Sequence, residues 1–285
     1  MDRLSKAISE QKQLLLLIHQ IREDHPTMGC RDMYYKLKPE IMGRDAFERF
    51  CKEEGLMSVC QRNWRRTTDS SGVVRFENLM VNLKIDRLNQ VWQSDITYFD
   101  LKGKFYYITF IEDSYSRKII GHHVSKTLYT EQTTLPALET AIRNRKHTKL
   151  EGLIFHSDGG GQYYDKEFLK LTKKHKIINS MCEYPWENGK VERINGIIKN
   201  NYLMHRVINT YNDLLKEVDR SVKLYNEEKP HCELKRKTPV EFENHYFCKH
   251  TKSEEREGSD KASFLSDENL LKNSSTNLVK TVNAI

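Results

Sequence analysis

The chain has 285 residues, of which 38% are hydrophobic, so it is long enough for one large domain or two modest ones with buried cores. Only 13 glycines and 6 prolines are present, with 10% aromatic residues, which excludes collagen-like and simple disordered chains. The longest apolar run, residues 14–18, is too short to span a bilayer, and the N-terminus lacks a secretory signal pattern. These features predict a soluble, cytoplasmic protein with no membrane partner. The net charge of +7 is compatible with a polyanionic ligand.

Residues 1–60 are predicted to form a small all-helical domain. Apolar residues recur at helical spacing over about 5–23, and two shorter helices are predicted over 30–37 and 45–54. The two short helices resemble a helix-turn-helix, which would bind DNA. A small bundle used for packing or dimerisation has the same pattern, so both interpretations stay open.

The segments on either side of the central region are polar. Residues 61–88 are predicted to be a basic linker, since they contain several arginines and no sustained hydrophobic period. Residues 246–285 carry six basic and six acidic side chains and few aromatic ones, so we expect a disordered tail.

Residues 89–245 are predicted to form an α/β domain with a mixed sheet. Three strands come first, and strands then alternate with helices, which is typical of such a sheet. The predicted strands are 91–99, 104–112, 117–125, 153–156 and 177–182, and the predicted helices are 130–144, 165–175, 188–202 and 211–226.

Three acidic residues stand out by their positions. Asp95 lies inside a strand, where aspartate is disfavoured, and Asp158 follows a buried strand at a glycine-rich turn. Glu192 lies on the polar face of a predicted helix, between Asn188 and Asn195. Taken singly, each acid has an ordinary explanation as a turn former, a cap or a solvated side chain.

Together, four ordered motifs resemble the retroviral-integrase-like (Asp-Asp-Glu) transposases of bacterial insertion sequences, specifically their OrfB-type catalytic subunit. The motifs with the acids are WQSDITY at 92–98, HSDGGGQY at 156–163 and ENGKVERINGIIK at 187–199. The spacing of 33 residues between Asp158 and Glu192 is close to that of the family. The segments YNEEKPH and TPVEF, at 225–231 and 238–242, and GCRDMY at 29–34 are also similar to this family.

The resemblance implies a ribonuclease-H-like fold and a catalytic triad of Asp95, Asp158 and Glu192. It implies that these carboxylates bind two Mg²⁺ ions, with Mn²⁺ as the alternative, and that Asp95 bridges both. Glu187 is a second acid in the same motif, but Glu192 is preferred because Lys199 follows it on the same helix face. We expect DNA contacts from the polar and basic residues of the two later motifs: Gln162, Asn188, Lys190, Arg193, Asn195 and Lys199.

The implied function is metal-dependent DNA strand cleavage and strand transfer at insertion-sequence ends. The implied partners are double-stranded DNA, further copies of the chain in a homo-oligomer on DNA, and a companion DNA-binding subunit from an upstream reading frame. The implied location is the bacterial cytoplasm, with nucleoid association when DNA is bound. Residues 170–206 carry a net charge of +5, which favours a DNA track. A catalytically inactive DNA-binding relative and a ribonuclease-H-type nuclease remain as alternatives.

Overall fold

The computed structural model describes residues 3–58, 76–182 and 188–249. The described helices are α1 (Arg3–Asp24), α2 (Cys30–Leu37), α3 (Arg44–Glu53), α4 (Thr134–Asn144), α5 (Lys166–Lys174), α6 (Gly189–Ile197) and α7 (Tyr211–Glu227). The described strands are β1 (Val91–Leu101), β2 (Lys104–Asp113), β3 (Ile119–Ser125), β4 (Ile154–Ser157) and β5 (Ile178–Met181). None of the described helices has the length and hydropathy that a bilayer crossing needs. One compact unit extends to Val240, and in the unit that follows residues 241–249 are helical.

The three N-terminal helices pack on one another around their own apolar core. Ile18, Met33 and Phe47 are completely buried at its centre, which confirms the three predicted helices. Polar contacts join this helical segment to α7 and the residues after it: Lys36 donates to Glu228 at 2.8 Å. The segment belongs to the same compact unit as the sheet. Its status as a separate domain and its binding of DNA stay predictions.

The sheet has five strands in the order β3-β2-β1-β4-β5. The pairs β1–β2 and β2–β3 are antiparallel, whereas β4 and β5 run parallel to β1. Helices cover both faces, so the structure confirms the predicted ribonuclease-H-like arrangement of a mixed sheet flanked by helices. On one face, Trp92, Ile111 and Phe155 pack against α4 and α5. On the other face, Phe99 and Phe110 pack against α6 and α7.

Three predicted elements differ in detail from the observed ones. Strand β3 begins at Ile119 and not at residue 117, because Arg117 has a left-handed backbone with φ 62°. The single helix predicted over 130–144 is interrupted at Thr133, where φ is −125°. The helix predicted over 188–202 is α-helical only to Ile197 and continues as a wider π-helical turn over 198–202.

The two polar segments are only partly described. Residues 76–88 form turns without a helix or strand, and 61–75 lie outside the described residues, as do 250–285. The first four residues of the predicted disordered tail, 246–249, are helical, whereas the linker and the rest of the tail stay predictions.

Candidate active site

Two of the predicted acids lie at neighbouring positions on adjacent parallel strands. Ser94 of β1 is paired with Ser157 of β4, and the next residues along the two strands are Asp95 and Asp158. Neighbouring strands are about 4.8 Å apart, so the two carboxyl groups lie side by side at the end of β4. β1 continues to Leu101 past this point, so Asp95 lies within the longer strand and Asp158 in the turn that follows the shorter one.

Helix α6 brings the third motif against the same strand. The Asn188 side-chain amide donates to Ser94 O at 3.3 Å, and the Asn195 amide donates to Asp95 Oδ2 at 2.7 Å. Further on, Lys199 Nζ donates to Tyr98 O at 2.8 Å. These residues have the 3.6-residue spacing of one helix face, so Glu192, which lies between the two asparagines, faces β1 near Asp95.

The opposite side of α6 fixes this orientation. Val191, Ile194 and Ile198 are buried, and the two isoleucines belong to the core formed with β1, β2 and α7. Because an apolar stripe determines which way an amphipathic helix faces, burial of these three residues turns the polar stripe towards the strand.

The two aspartates form an environment that disfavours negative charge. Burial, followed by the charge of Asp158, raises the pKa of Asp95 to about 8, and the charge of Glu192 adds to this. Hydrogen bonds from Ile96 N and Asn195 act in the opposite direction. Burial also raises the pKa of Asp158, against a hydrogen bond from Gly160 N at 3.1 Å. A cation would relieve this accumulation of carboxylates.

The acids do not form a closed ligand set as they stand. Within the ranges 3–58, 76–182 and 188–249, no three His, Cys, Asp or Glu side chains are arranged to hold a metal ion. Glu192 is exposed, and the alternative acid Glu187 lies outside the described residues. The structure therefore brings Asp95 and Asp158 together. Glu192 lies on the face of α6 that turns towards β1, and its charge acts on the pKa of Asp95. Oxygen donors of this kind fit a hard divalent cation.

The six expected DNA contacts fall into two groups. Lys190 and Arg193 are exposed on α6, and Gln162 is half-buried in the turn after the glycines. Asn188 and Asn195 are buried and Lys199 is half-buried, because all three side chains donate to β1, which sequence reasoning did not foresee. DNA contact by each of these residues stays a prediction.

Sequence reasoning missed two buried acids at the end of β2. Asp113 accepts hydrogen bonds from Asn89 N at 2.7 Å, Tyr115 N at 2.9 Å and Ser116 N at 3.1 Å, which shape the turn into β3. Burial raises the pKa of Glu112 to about 7, opposed by the charge of Arg117. The only signal in the sequence was a turn motif, which indicated a hairpin and no further role.

Comparisons with known proteins find relatives of this chain. Two models described as "Integrase core domain" match residues 86–184 and 173–239. The insertion element IS600 31 kDa protein of Shigella sonnei is 27% identical, over 85% of this chain and 90% of its own length. A putative transposase of IS986/IS6110 from Mycobacterium tuberculosis is 28% identical, over 67% and 70%. The HTLV-2 integrase catalytic core in complex with magnesium aligns with a TM-score of 0.44 at 23% identity, over 54% of this chain and 95% of that one.

Proposed function

This chain belongs to the integrase-core transposases of bacterial insertion sequences, and we propose that Asp95, Asp158 and Glu192 form its active site. In this proposal the protein cleaves DNA at the ends of its element and joins the liberated 3′ ends to target DNA. The observation that carries the proposal is the side-by-side placement of Asp95 and Asp158 at the end of β4, beneath the helix that bears Glu192.

The carboxylates are suited to Mg²⁺ or Mn²⁺, and we propose two ions per active site. The charges of Asp158 and Glu192 both act on Asp95, which would be a ligand of both ions. When bound, divalent metal supplies the positive charge that activates the attacking oxygen and stabilises the leaving one. The support is the donor chemistry and the raised pKa of Asp95, to which burial contributes most and the charges of Asp158 and Glu192 add.

Neighbouring residues hold the carboxylates in place. Ile96 N donates to one oxygen of Asp95 and the Asn195 amide to the other, so the plane of the carboxylate is fixed. Asn188 and Lys199 attach both ends of the polar face of α6 to β1. In-line displacement at a phosphodiester depends mainly on such positioning and on charge neutralisation.

Duplex DNA is the substrate, and the remaining partners are part of the proposal. Lys190, Arg193 and Gln162 lie where they could contact DNA near the acids, and Lys199, Asn188 and Asn195 would do so if DNA drew their side chains from β1. A homo-oligomer on DNA would allow two element ends to be processed together. A companion subunit from an upstream reading frame would recognise the ends. The bacterial cytoplasm, at the nucleoid, is the proposed location.

The test is cleavage of a plasmid that carries the element with its native flanks. We expect Asp95→Asn, Asp158→Asn and Glu192→Gln each to abolish Mg²⁺-dependent cleavage, by roughly 10³-fold or more, while duplex binding in EDTA survives. Glu139→Gln, an exposed acid on α4, is the matched control and should cleave normally. Cleavage retained by Glu192→Gln would remove Glu192 from the site and direct the same test to Glu187.

The same assay separates the alternatives. A wild-type chain that binds DNA without cleaving it in Mg²⁺ or Mn²⁺ would indicate a catalytically inactive relative. Preferential cleavage of an RNA–DNA hybrid over duplex DNA would indicate a ribonuclease-H-type nuclease.

A further inference from the structure

Two arginines contact one exposed carboxylate beside the active-site helix, and a lysine lies near them. Arg117 Nε donates to Glu233 Oε2 at 2.9 Å, and its Nη2 contacts the same oxygen. Arg193 Nη1 lies 3.7 Å from Glu233 Oε1. Lys190, one turn before Arg193 on α6, is close enough for Arg117 and Glu233 to affect its pKa. Sequence reasoning grouped Lys190 with Arg193 but brought neither Arg117 nor Glu233 to them.

We propose that Arg117, Lys190 and Arg193 form a binding site for a backbone phosphate of DNA, and that the carboxylate of Glu233 occupies this site in the DNA-free chain. The site deepens the proposed function and rests on it in one respect, namely that the ligand is duplex DNA. Lys190 and Arg193 flank Glu192 in the sequence, so a phosphate bound here would lie beside the one that reacts.

Arg117 is held in place by buried structure. Its Nη1 lies 3.5 Å from Oε1 of Glu112, whose side chain is completely buried, and Arg117 itself is only 15% exposed. Its backbone has φ 62°, a left-handed conformation that disfavours a residue with a Cβ, and Arg117 N donates to Asp113 O at 2.8 Å. A strained residue that the surroundings keep fixed is typical of a functional position.

The electrostatic potential around Arg117 is positive, although Glu112 and Glu233 lie beside it. His231 packs edge-on against Tyr225, with ring centroids 4.8 Å apart. Burial lowers the pKa of His231 to about 3, and the charges of Lys229, Arg117 and Arg193 contribute. His231 is therefore neutral at pH 7, and the net charge that a ligand meets here comes from the cations.

Glu233 is suited to being displaced. Its side chain is 54% exposed and lies on a single 3-10 turn, Cys232–Leu234. Because the Glu233 end of these ion pairs is open to water, solvent screens them and reduces what they contribute to stability. A phosphate offers more acceptor oxygens and charge than a carboxylate, and arginine binds it through two parallel hydrogen bonds. Phosphate can therefore replace Glu233 without loss of the buried Arg117–Glu112 pair.

The competing explanation is that Glu233 only fastens its turn to α6 and to the turn before β3. The two explanations differ in what neutralisation of Glu233 does to DNA affinity. Under the proposal, Glu233 competes with DNA, so its removal strengthens binding. Under a purely structural role, its removal either has no effect on binding or weakens it.

The experiment measures binding of the full chain to a fluorescein-labelled 30-base-pair random-sequence duplex by anisotropy, in EDTA at several NaCl concentrations. We expect Glu233→Gln to tighten binding about five- to ten-fold at low salt, because DNA no longer has to displace this carboxylate, and we expect the gain to shrink as the salt concentration rises. The matched control is Glu227→Gln, an exposed acid on the nearby end of α7, which changes the net charge equally. We expect less than a two-fold effect there.

A second variant tests the cations themselves. Arg193 is 69% exposed, so Arg193→Gln should leave the fold intact. It should weaken binding about five-fold and cancel most of the gain from Glu233→Gln when the two are combined. Arg117 is not suited to this test, because its removal would leave Glu112 buried without its cation.

Equal effects of Glu233→Gln and Glu227→Gln would overturn the proposal, as would an Arg193→Gln variant that binds like the wild type. Stabilisation of the free protein by inorganic phosphate, beyond that by chloride at the same ionic strength, would reassign the site to a free anion. Because these measurements use EDTA, they are independent of cleavage. If substitution of the catalytic acids did not abolish plasmid cleavage, the result of the binding measurements would therefore be unchanged.

Discussion

Replacement of Asp95 by asparagine should stabilise the metal-free protein, although it should abolish activity. The pKa of this carboxyl is raised from 3.8 to about 8, mainly by burial and then by the charge of Asp158. At 1.36 kcal/mol per pKa unit, the proton that Asp95 must bind on folding lowers the free energy of unfolding at pH 7 by at most about 4 kcal/mol. Relaxation of the site in water reduces this, so we expect Asp95→Asn to be more stable by roughly 2 kcal/mol in EDTA.

The hydrogen bonds at this position survive the substitution. The new side-chain oxygen can still accept from Ile96 N, and the new amide can donate to Asn195 once that side chain flips. Asn195 Oδ1 is buried without a hydrogen-bond partner among the described residues, so the flip exchanges one unpaired atom for another. The stability gain therefore reports the removal of charge.

The pH dependence has a definite sign. Since the pKa is higher in the folded than in the unfolded chain, the destabilisation is complete above about pH 8 and disappears below about pH 4. The stability difference between Asp95→Asn and the wild type should shrink as the pH falls from 8 to 4. Mg²⁺ should reverse the order at pH 7, because 100 times the Kd stabilises the wild type by about 2.7 kcal/mol and the variant much less.

Urea unfolding followed by tryptophan fluorescence, in EDTA and in Mg²⁺, measures these differences. Glu139→Gln is the control and should match the wild type in both conditions. A variant that is less stable than the wild type in EDTA at pH 7, or a difference that does not change with pH, would refute the electrostatic account of the site.

Two further predictions concern the scaffold around the site. Gly121→Ala should lower the free energy of unfolding by roughly 2–4 kcal/mol, because the added Cβ would lie 2.4 Å from Ala137 O, whereas Gly43→Ala, with nothing within 4 Å, should cost far less in the same urea titration. Thr210→Ala should cost about 1 kcal/mol, because Thr210 forms a reciprocal capping box with Asp213 at the start of α7. Thr210→Ser keeps the hydroxyl and should restore most of that loss, and an equal loss in both variants would contradict the capping role.

The sequence predicted nearly all the described strands and helices because their signals are local. The alternation of β1 and the apolar stripe of α6, formed by Val191, Ile194 and Ile198, depend only on nearby residues. The strand order and the pairing of Ser94 with Ser157 are long-range facts. The motif resemblance implied a ribonuclease-H-like fold without this order or pairing, and periodicity could supply neither.

What the sequence did not predict are contacts between polar residues that lie far apart. Asn195 was expected on DNA, yet its amide holds a carboxylate 100 residues away. Arg117 and Glu233 are 116 residues apart, and either alone is an ordinary charged residue near a turn. No spacing rule relates such pairs, because their proximity follows only from the packing of the sheet against α6 and α7.

The unequal length of β1 and β4 has a consequence for the free protein. Among the residues that the structure describes, β1 has no strand partner beyond Ser94 on the β4 side. An unpaired strand edge can pair with a strand of another molecule and start aggregation, and a lysine at the edge disfavours this pairing. The Lys199 ammonium donates to Tyr98 O along this edge. The side chain that is expected to contact DNA therefore also disfavours strand pairing between DNA-free molecules.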